Sequence, residues 1–90
     1  MDDTTEESLL RDHLDAVDRD LTDDEVRQLE RLRPVYAHAV SFFRTDAAAA
    51  EWFRSRVPAL NGRPLDFLDS DEGATLVDDI IGRAEHGIYT

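Results

Sequence analysis

The sequence predicts an all-α fold, a small bundle of about four to five helices, and three observations support this prediction. Apolar residues recur at three- and four-residue spacings along almost the whole chain. No stretch alternates apolar and polar residues for more than a few positions, as a half-buried strand would. The length of 90 residues suits one domain with a modest core, and oligomerisation is one way to complete such a core.

The first helix is expected from about Thr5 to Arg19. Acidic residues occupy its first turn, where the positive end of the helix dipole favours them. We interpret residues 1–20 as an acidic N-terminal helix and residues 21–90 as the main helical domain. The expected apolar side of the first helix consists of Leu9, Leu10, His13, Leu14 and Val17.

The second helix has the best-marked start in the chain. Thr22 is followed three residues later by Glu25, the pattern of a capping box in which each side chain accepts from the other residue's backbone N–H. Apolar residues then keep helical spacing to about Arg44. Pro34 lies inside this run and has no backbone N–H, so the sequence predicts either a kink or two abutting helices there.

A third helix is expected from Ala47 to about Arg56. Thr45 and Asp46 can cap its start, and its alanines permit close packing against another helix. A loop containing Pro, Asn and Gly follows, and it is expected to end in a short helical turn over residues 64–68.

The last helix is expected from Asp71 to about Glu85. Ser70 is placed to cap its N-terminus. Gly87 is placed to end the helix in a left-handed conformation, with Ile88 packed back on the final turn. The clearest apolar stripe of the chain lies on this helix and consists of Leu76, Val77, Ile80, Ile81 and Ala84.

Acidic residues outnumber basic ones, and the excess lies at one end of the chain. There are 21 Asp and Glu against 10 Arg, with no Lys, and the net charge is −11. Residues 1–30 hold 12 acids and 3 arginines, a net charge of −9, so the remainder carries only −2. Such a segment repels nucleic-acid phosphates, and direct DNA binding by this chain is not expected. Either attraction to a basic protein surface or simple solvation of a helix face explains the acids.

The composition also bears on the cellular compartment. Without cysteine the chain has no disulfide, no thiol nucleophile and no thiolate metal site. The N-terminus MDDTTEESLL lacks the basic region and apolar run of a signal peptide, and no apolar run reaches membrane-spanning length. We expect a cytoplasmic protein without membrane association.

The residues that carry chemistry form no catalytic or metal-binding pattern. His13, His38 and His86 lie on separate expected elements, and none has a second metal ligand three or four residues away. They are interpreted as surface or partly buried residues. Asp78 and Asp79 are expected on a solvated helix face. The sequence also has no phosphate-binding glycine loop, so we expect neither an enzyme nor a cofactor.

Two glycines lie inside the last helix, where each costs about 1 kcal/mol relative to Ala. For Gly73 the preferred explanation is structural, an easier crossing of the short turn. For Gly82 close helix packing and the approach of a partner both remain open.

Four motifs in the C-terminal half form a set. They are Ala50 with Trp52, LNGRPLDFL over residues 60–68, EGATLV over residues 72–77, and GRAEHGIY over residues 82–89. Together they strongly resemble the C-terminal toxin-binding domain of the Xre/MbcA/ParS antitoxin family.

The strong resemblance covers residues 47–90 and extends weakly over residues 21–32. The chain departs from the family pattern by lacking one residue between Arg63 and Pro64, and by having Phe53 where an aliphatic residue is common. Longer family members carry a helix-turn-helix domain before this region, and we expect no functional DNA reader in this chain.

The resemblance implies an antitoxin of a type II toxin–antitoxin system. Its partner would be a RES-domain toxin, an enzyme that consumes NAD, and the antitoxin's C-terminal helix and tail would cover the toxin's active-site cleft. Family antitoxins usually dimerise. The residues expected to contact the toxin are Arg63, Arg83, His86, Gly87, Ile88, Tyr89 and Thr90.

Physical reasoning is compatible with that role. A short tail beyond a rigid helix enters a cleft at a small ordering cost, and Arg and Tyr are frequent anchors of interfaces. The alternative is that Ile88 and Tyr89 pack back on this chain and that Arg83 is a solvated helix end. Two other functions also remain open: a DNA-binding autoregulator and a helical dimer that serves as an adaptor without a toxin.

Overall fold

The computed structural model describes residues 5–86, which form a small all-α fold as predicted. Within this range the only strand-like feature is an isolated bridge between Val57 and Gly62. None of the described helices is both long enough and apolar enough to cross a membrane. The elements are α1 (Thr5–Leu14), α2 (Asp23–Phe43), α3 (Asp46–Arg54), a 3₁₀ helix (Pro64–Phe67) and α4 (Asp71–His86).

α2 is the central element and contacts α1, α3 and α4. Its capping box is present, since Thr22 N–H donates to Glu25 Oε1 at 2.9 Å and Glu25 N–H donates to Thr22 Oγ1 at 3.2 Å. The helix continues through Pro34 without a break, so the expectation of two abutting helices is wrong. Packing against three other helices holds both halves of α2 although one backbone hydrogen bond is missing.

α1 ends earlier than predicted, at Leu14 rather than Arg19. Asp15 takes a left-handed conformation with φ 57°, and Ala16 N–H donates to Arg11 O at 2.8 Å. This is the hydrogen bond of a Schellman motif, which ends a helix. Val17 is therefore 64% exposed instead of lying on the apolar side. No glycine marks this end in the sequence, because Asp also tolerates the left-handed region.

One hydrophobic core joins all the described helices. Ala49 and Ala50 are buried on α3, as expected for a helix that packs closely through its alanines. Leu9 and Leu10 of α1 belong to the same core. The proposed boundary between residues 20 and 21 falls in the turn between α1 and α2. The largest fully buried side chains are Phe53, Leu10, Leu32, Leu68, Ile81, Val77 and Pro64.

α2 and α4 lie side by side and run parallel. Arg31 Nε of α2 donates to Asp71 Oδ1, at the start of α4, at 2.8 Å. Further along both helices, His38 contacts Asp78 and Glu85. Since these contacts advance in the same direction along the two helices, their C-terminal ends lie at the same end of the molecule.

Candidate functional site

The C-terminal end of α4 presents Arg83 and His86 to solvent. Arg83 Nη2 lies 2.9 Å from Asp79 Oδ2, one turn earlier, and the Arg83 side chain is 74% exposed. An exposed pair of this kind contributes at most about 1 kcal/mol, so Arg83 can exchange Asp79 for another acidic group at little cost. Basic groups in a last turn also interact favourably with the helix dipole.

The other expected contacts of this end, Gly87, Ile88, Tyr89 and Thr90, lie outside the described residues. The expected cap at Gly87 and the expected packing of Ile88 fall on the same residues. These four assignments stay predictions.

Arg63 lies apart from Arg83 and His86. Its guanidinium donates to the carboxylate of Asp66 at 3.1 and 3.2 Å, within the 3₁₀ helix. That helix packs on the first turn of α4 at Gly73. Ten residues of α4 separate Gly73 from Arg83, a rise of about 15 Å. Of the expected contact residues that the structure describes, Arg63 precedes the 3₁₀ helix, whereas Arg83 and His86 lie at the C-terminal end of α4.

The two glycines of α4 have different surroundings. A Cβ built on Gly73 would lie 1.8 Å from the backbone oxygen of Phe67, so only glycine fits this crossing. The structural explanation of Gly73 is thereby confirmed. A Cβ built on Gly82 would meet only His38 Cε1, at 4.0 Å, which is ordinary contact. Gly82 is not required by packing among the described residues.

His38 connects α2 to α4 through both of its ring nitrogens. Its Nδ1 lies 2.7 Å from Asp78 Oδ1, and its Nε2 lies 2.7 Å from Glu85 Oε1. The side chain of His38 is 27% exposed. The hydrogen bonds to Glu85 and Asp78 raise the pKa of His38 above its usual value of 6.5. We call these three residues the His38 bridge.

Asp78 is half-exposed, as expected for a solvated face, but it also contacts His38 of α2, which was not expected. Asp79 is exposed, as expected, and it pairs with Arg83. A signal for the α2–α4 contact was present in the sequence as a seven-residue spacing on both helices. Two basic residues of α2 and three acids of α4 share this spacing, namely Arg31 and His38 with Asp71, Asp78 and Glu85.

An open groove of about 390 Å³ lies between the Arg31–Asp71 pair and the His38–Asp78 pair. Pro34 and Val35 of α2 and Ala74 of α4 give it a mainly apolar lining. Within residues 5–86, no group of three or more His, Cys, Asp or Glu side chains is arranged to hold a metal ion.

Comparison with known proteins gives two matches. The family described as the antitoxin Xre/MbcA/ParS C-terminal toxin-binding domain matches residues 38–87. An "Antitoxin Xre" of Photorhabdus laumondii subsp. laumondii is 39% identical over 71 residues, which cover 77% of this chain and 48% of that protein. The chain thus spans about half the length of this curated relative. No solved structure matches the chain.

The chain belongs to the Xre/MbcA/ParS antitoxin family, since the family match covers more than half of its residues. The resemblance found in the sequence is therefore confirmed. The class that the match defines is that of antitoxins. The matched region begins at His38 in α2 and continues through α3, the 3₁₀ helix and α4.

Proposed function

We propose that this chain neutralises a RES-domain toxin, an NAD-consuming enzyme, by covering its active-site cleft with the end of α4 and the tail. The observation that supports this most is the family match over residues 38–87, a toxin-binding domain by description. The proposed contact residues are Arg63, Arg83, His86, Gly87, Ile88, Tyr89 and Thr90.

The geometry of α4 suits such a role. Val77 and Ile81 are buried in the core, so the helix is held along its inner face while its outer face stays in solvent. A toxin that receives the end of this helix meets a segment of α4 that is already fixed on the bundle. Because ordering costs oppose binding, a helix that is already fixed favours affinity. Arg83 then supplies a planar cation for a carboxylate in the cleft.

Arg63 is proposed as a second basic contact with the toxin. It lies just before the 3₁₀ helix, beside α1 and α3, and is about half exposed, with its guanidinium paired to Asp66. A toxin that contacts both Arg63 and Arg83 would cover a surface that extends from the 3₁₀ helix to the end of α4. Arg63 then contributes at the edge of the interface, where a charge mainly affects the association rate.

We also propose that the chain forms a homodimer. Val26 and Leu76 are large apolar side chains that are 39% and 42% exposed, respectively, and a chain of this size buries only a modest core. Sedimentation velocity over a hundredfold range of concentration tests this. A single species of dimer mass is expected, and a monomer at every concentration would contradict the dimer but not toxin binding.

A charge reversal with a matched control tests the toxin contact. Cells that express a RES-domain toxin are expected to grow when the wild-type chain is co-expressed. Arg83→Glu should weaken this rescue, because it places an acid where the proposal needs a cation. Arg27→Glu makes the same charge change on α2, where Arg27 is 56% exposed and lies 3.7 Å from Asp24.

Rescue by Arg27→Glu should match the wild type. Equal rescue by both variants would contradict the role of Arg83, and no rescue by the wild type would contradict the choice of toxin. Soluble expression and helical circular dichroism of each variant establish that the chain is folded.

A further inference from the structure

We propose that His38 is a positioning residue for toxin binding: its doubly hydrogen-bonded ring fixes the C-terminal end of α4 on α2, and binding weakens as this ring loses its proton. The proposal rests on the proposed function, since it concerns the same end of α4. His38 itself is not placed in contact with the toxin.

The His38 bridge holds the C-terminal end of α4 because of where it contacts that helix. Asp78 and Glu85 are seven residues apart, two helical turns, so one imidazole ties a long stretch of α4 to α2. Among the described residues, Glu85 makes the last hydrogen bond from α4 to another helix. His86 and the tail follow directly. The position of His86 at the end of α4 therefore depends on the contact at Glu85.

The bridge requires a protonated ring. A neutral imidazole has one N–H donor and one acceptor nitrogen, whereas an imidazolium has two donors. Both nitrogens of His38 face carboxylate oxygens at 2.7 Å, and a carboxylate accepts but does not donate. When the ring loses one proton, a lone pair faces a carboxylate and one of the two contacts is lost.

The charges around the ring agree with this requirement. Asp78 and Glu85 of α4 are the charged groups that raise the pKa of His38. The next charged pair along the same two helices is Arg31 with Asp71, at 2.8 Å. That pair contains no histidine, so the imidazole of the α2–α4 contact lies in the C-terminal half of that contact.

Gly82 lies beside the ring. It stands between Asp78 and Glu85 in sequence, and a Cβ at this position would lie 4.0 Å from His38 Cε1, an ordinary contact distance. Alanine therefore fits next to the imidazole, and the bridge does not depend on glycine at this position.

The first test uses the free chain. Amide hydrogen exchange of residues 82–86, divided by the intrinsic rate at each pH, measures how often this end of α4 opens. Protection in the wild type should fall roughly two- to fivefold between pH 6 and pH 8.5, the range expected for ion pairs of partly exposed groups. His38→Gln should show low protection without this pH dependence. Glu85→Gln, which keeps the histidine, should reduce protection in the same way.

His13→Gln is the matched control. His13 is also a histidine near a carboxylate, 3.5 Å from Asp66, but it lies on α1. This variant should keep the wild-type profile at residues 82–86. A wild-type profile in His38→Gln and Glu85→Gln would overturn the proposal, as would a wild-type protection that does not change with pH.

The second test measures the affinity for a purified, catalytically inactive RES-domain toxin at pH 6 and pH 8.5. The dissociation constant at pH 8.5 divided by that at pH 6 is compared among the wild type, His38→Gln and His13→Gln. Any titration of the toxin itself is common to all three chains. The ratio should be two- to fivefold larger for the wild type and His13→Gln than for His38→Gln.

Equal ratios in all three chains would overturn the positioning role. If the wild type fails to bind at both pH values, the proposed toxin is wrong, while hydrogen exchange still decides whether the bridge holds α4. The two failures are therefore distinguishable.

Discussion

Gly73 and His38 each make a close contact between α4 and a neighbouring element. Gly73 allows the backbone of Phe67 to lie against the first turn of α4, and His38 binds two carboxylates near its end. The structural role of Gly73 was predictable because an interior glycine in a helix calls for an explanation. The partners of His38 were not predicted, because they lie 40 and 47 residues away and the shared seven-residue spacing does not by itself show which helices pack together.

Gly73→Ala is expected to lower the free energy of unfolding by about 2 kcal/mol or more, since its Cβ would overlap a backbone oxygen that has no room to move. In a domain of this size that corresponds to a fall in Tm of roughly 10 °C. Gly82→Ala is the control in the same helix. It should leave Tm unchanged or raise it, because alanine favours helix by about 1 kcal/mol. Equal melting of the two variants would contradict the close approach at Gly73.

The stability of the chain should depend on pH through His38. Because the pKa of His38 is raised in the folded state, its stabilising contribution is fully present below about pH 6.5 and is lost as the pH rises through the folded-state pKa. Urea unfolding at pH 6 and pH 8.5 measures this. His38→Gln should lose less stability than the wild type over that interval. An identical loss in both chains would show that another group is responsible.

At the level of the helices, starts were easier to predict than ends. The side chains of Thr22, Thr45 and Ser70 each accept from a backbone N–H three residues later, as their sequence patterns predicted. The ends of α1 and α2 instead use Asp15 and Arg44 in left-handed conformations, with φ of 57° and 82°. A non-glycine residue carries little sequence signal for this conformation, so α1 was predicted too long.

The capping box of α2 gives a testable prediction about the start of a helix. Thr22→Ala removes the acceptor for Glu25 N–H and should lower the free energy of unfolding by about 1 kcal/mol. Thr22→Ser keeps a hydroxyl and should remain close to the wild type. Thermal unfolding followed by circular dichroism at 222 nm provides the comparison. Equal destabilisation by serine and alanine would mean that the hydroxyl does not stabilise α2.

For the whole molecule, the sequence predicted the fold class and the family correctly. The all-α fold follows from helical spacing, and the family follows from four motifs that are specific only as a set. The candidate site was predicted less completely. Arg63 and Arg83 belong to motifs of the same family pattern, but Arg63 lies before the 3₁₀ helix and Arg83 near the end of α4, a separation that the sequence pattern does not show.

The charge distribution predicts that this chain does not bind DNA by itself. Residues 1–30 carry 12 acids and 3 arginines, so contact with phosphates is unfavourable there. We expect no shift of promoter DNA in a gel at physiological salt by the chain alone. Sequence-specific binding under those conditions would contradict this expectation and would favour an autoregulator.

The most direct test of the account is whether the chain forms a complex with a RES-domain toxin and needs its C-terminus to do so. Size-exclusion chromatography with light scattering, applied to the co-expressed proteins, measures the complex. The account predicts a stable complex for the full chain and none for a chain lacking Ile88–Thr90, with an unchanged helical circular dichroism signal. A complex that survives this truncation at full strength would contradict the proposed mechanism.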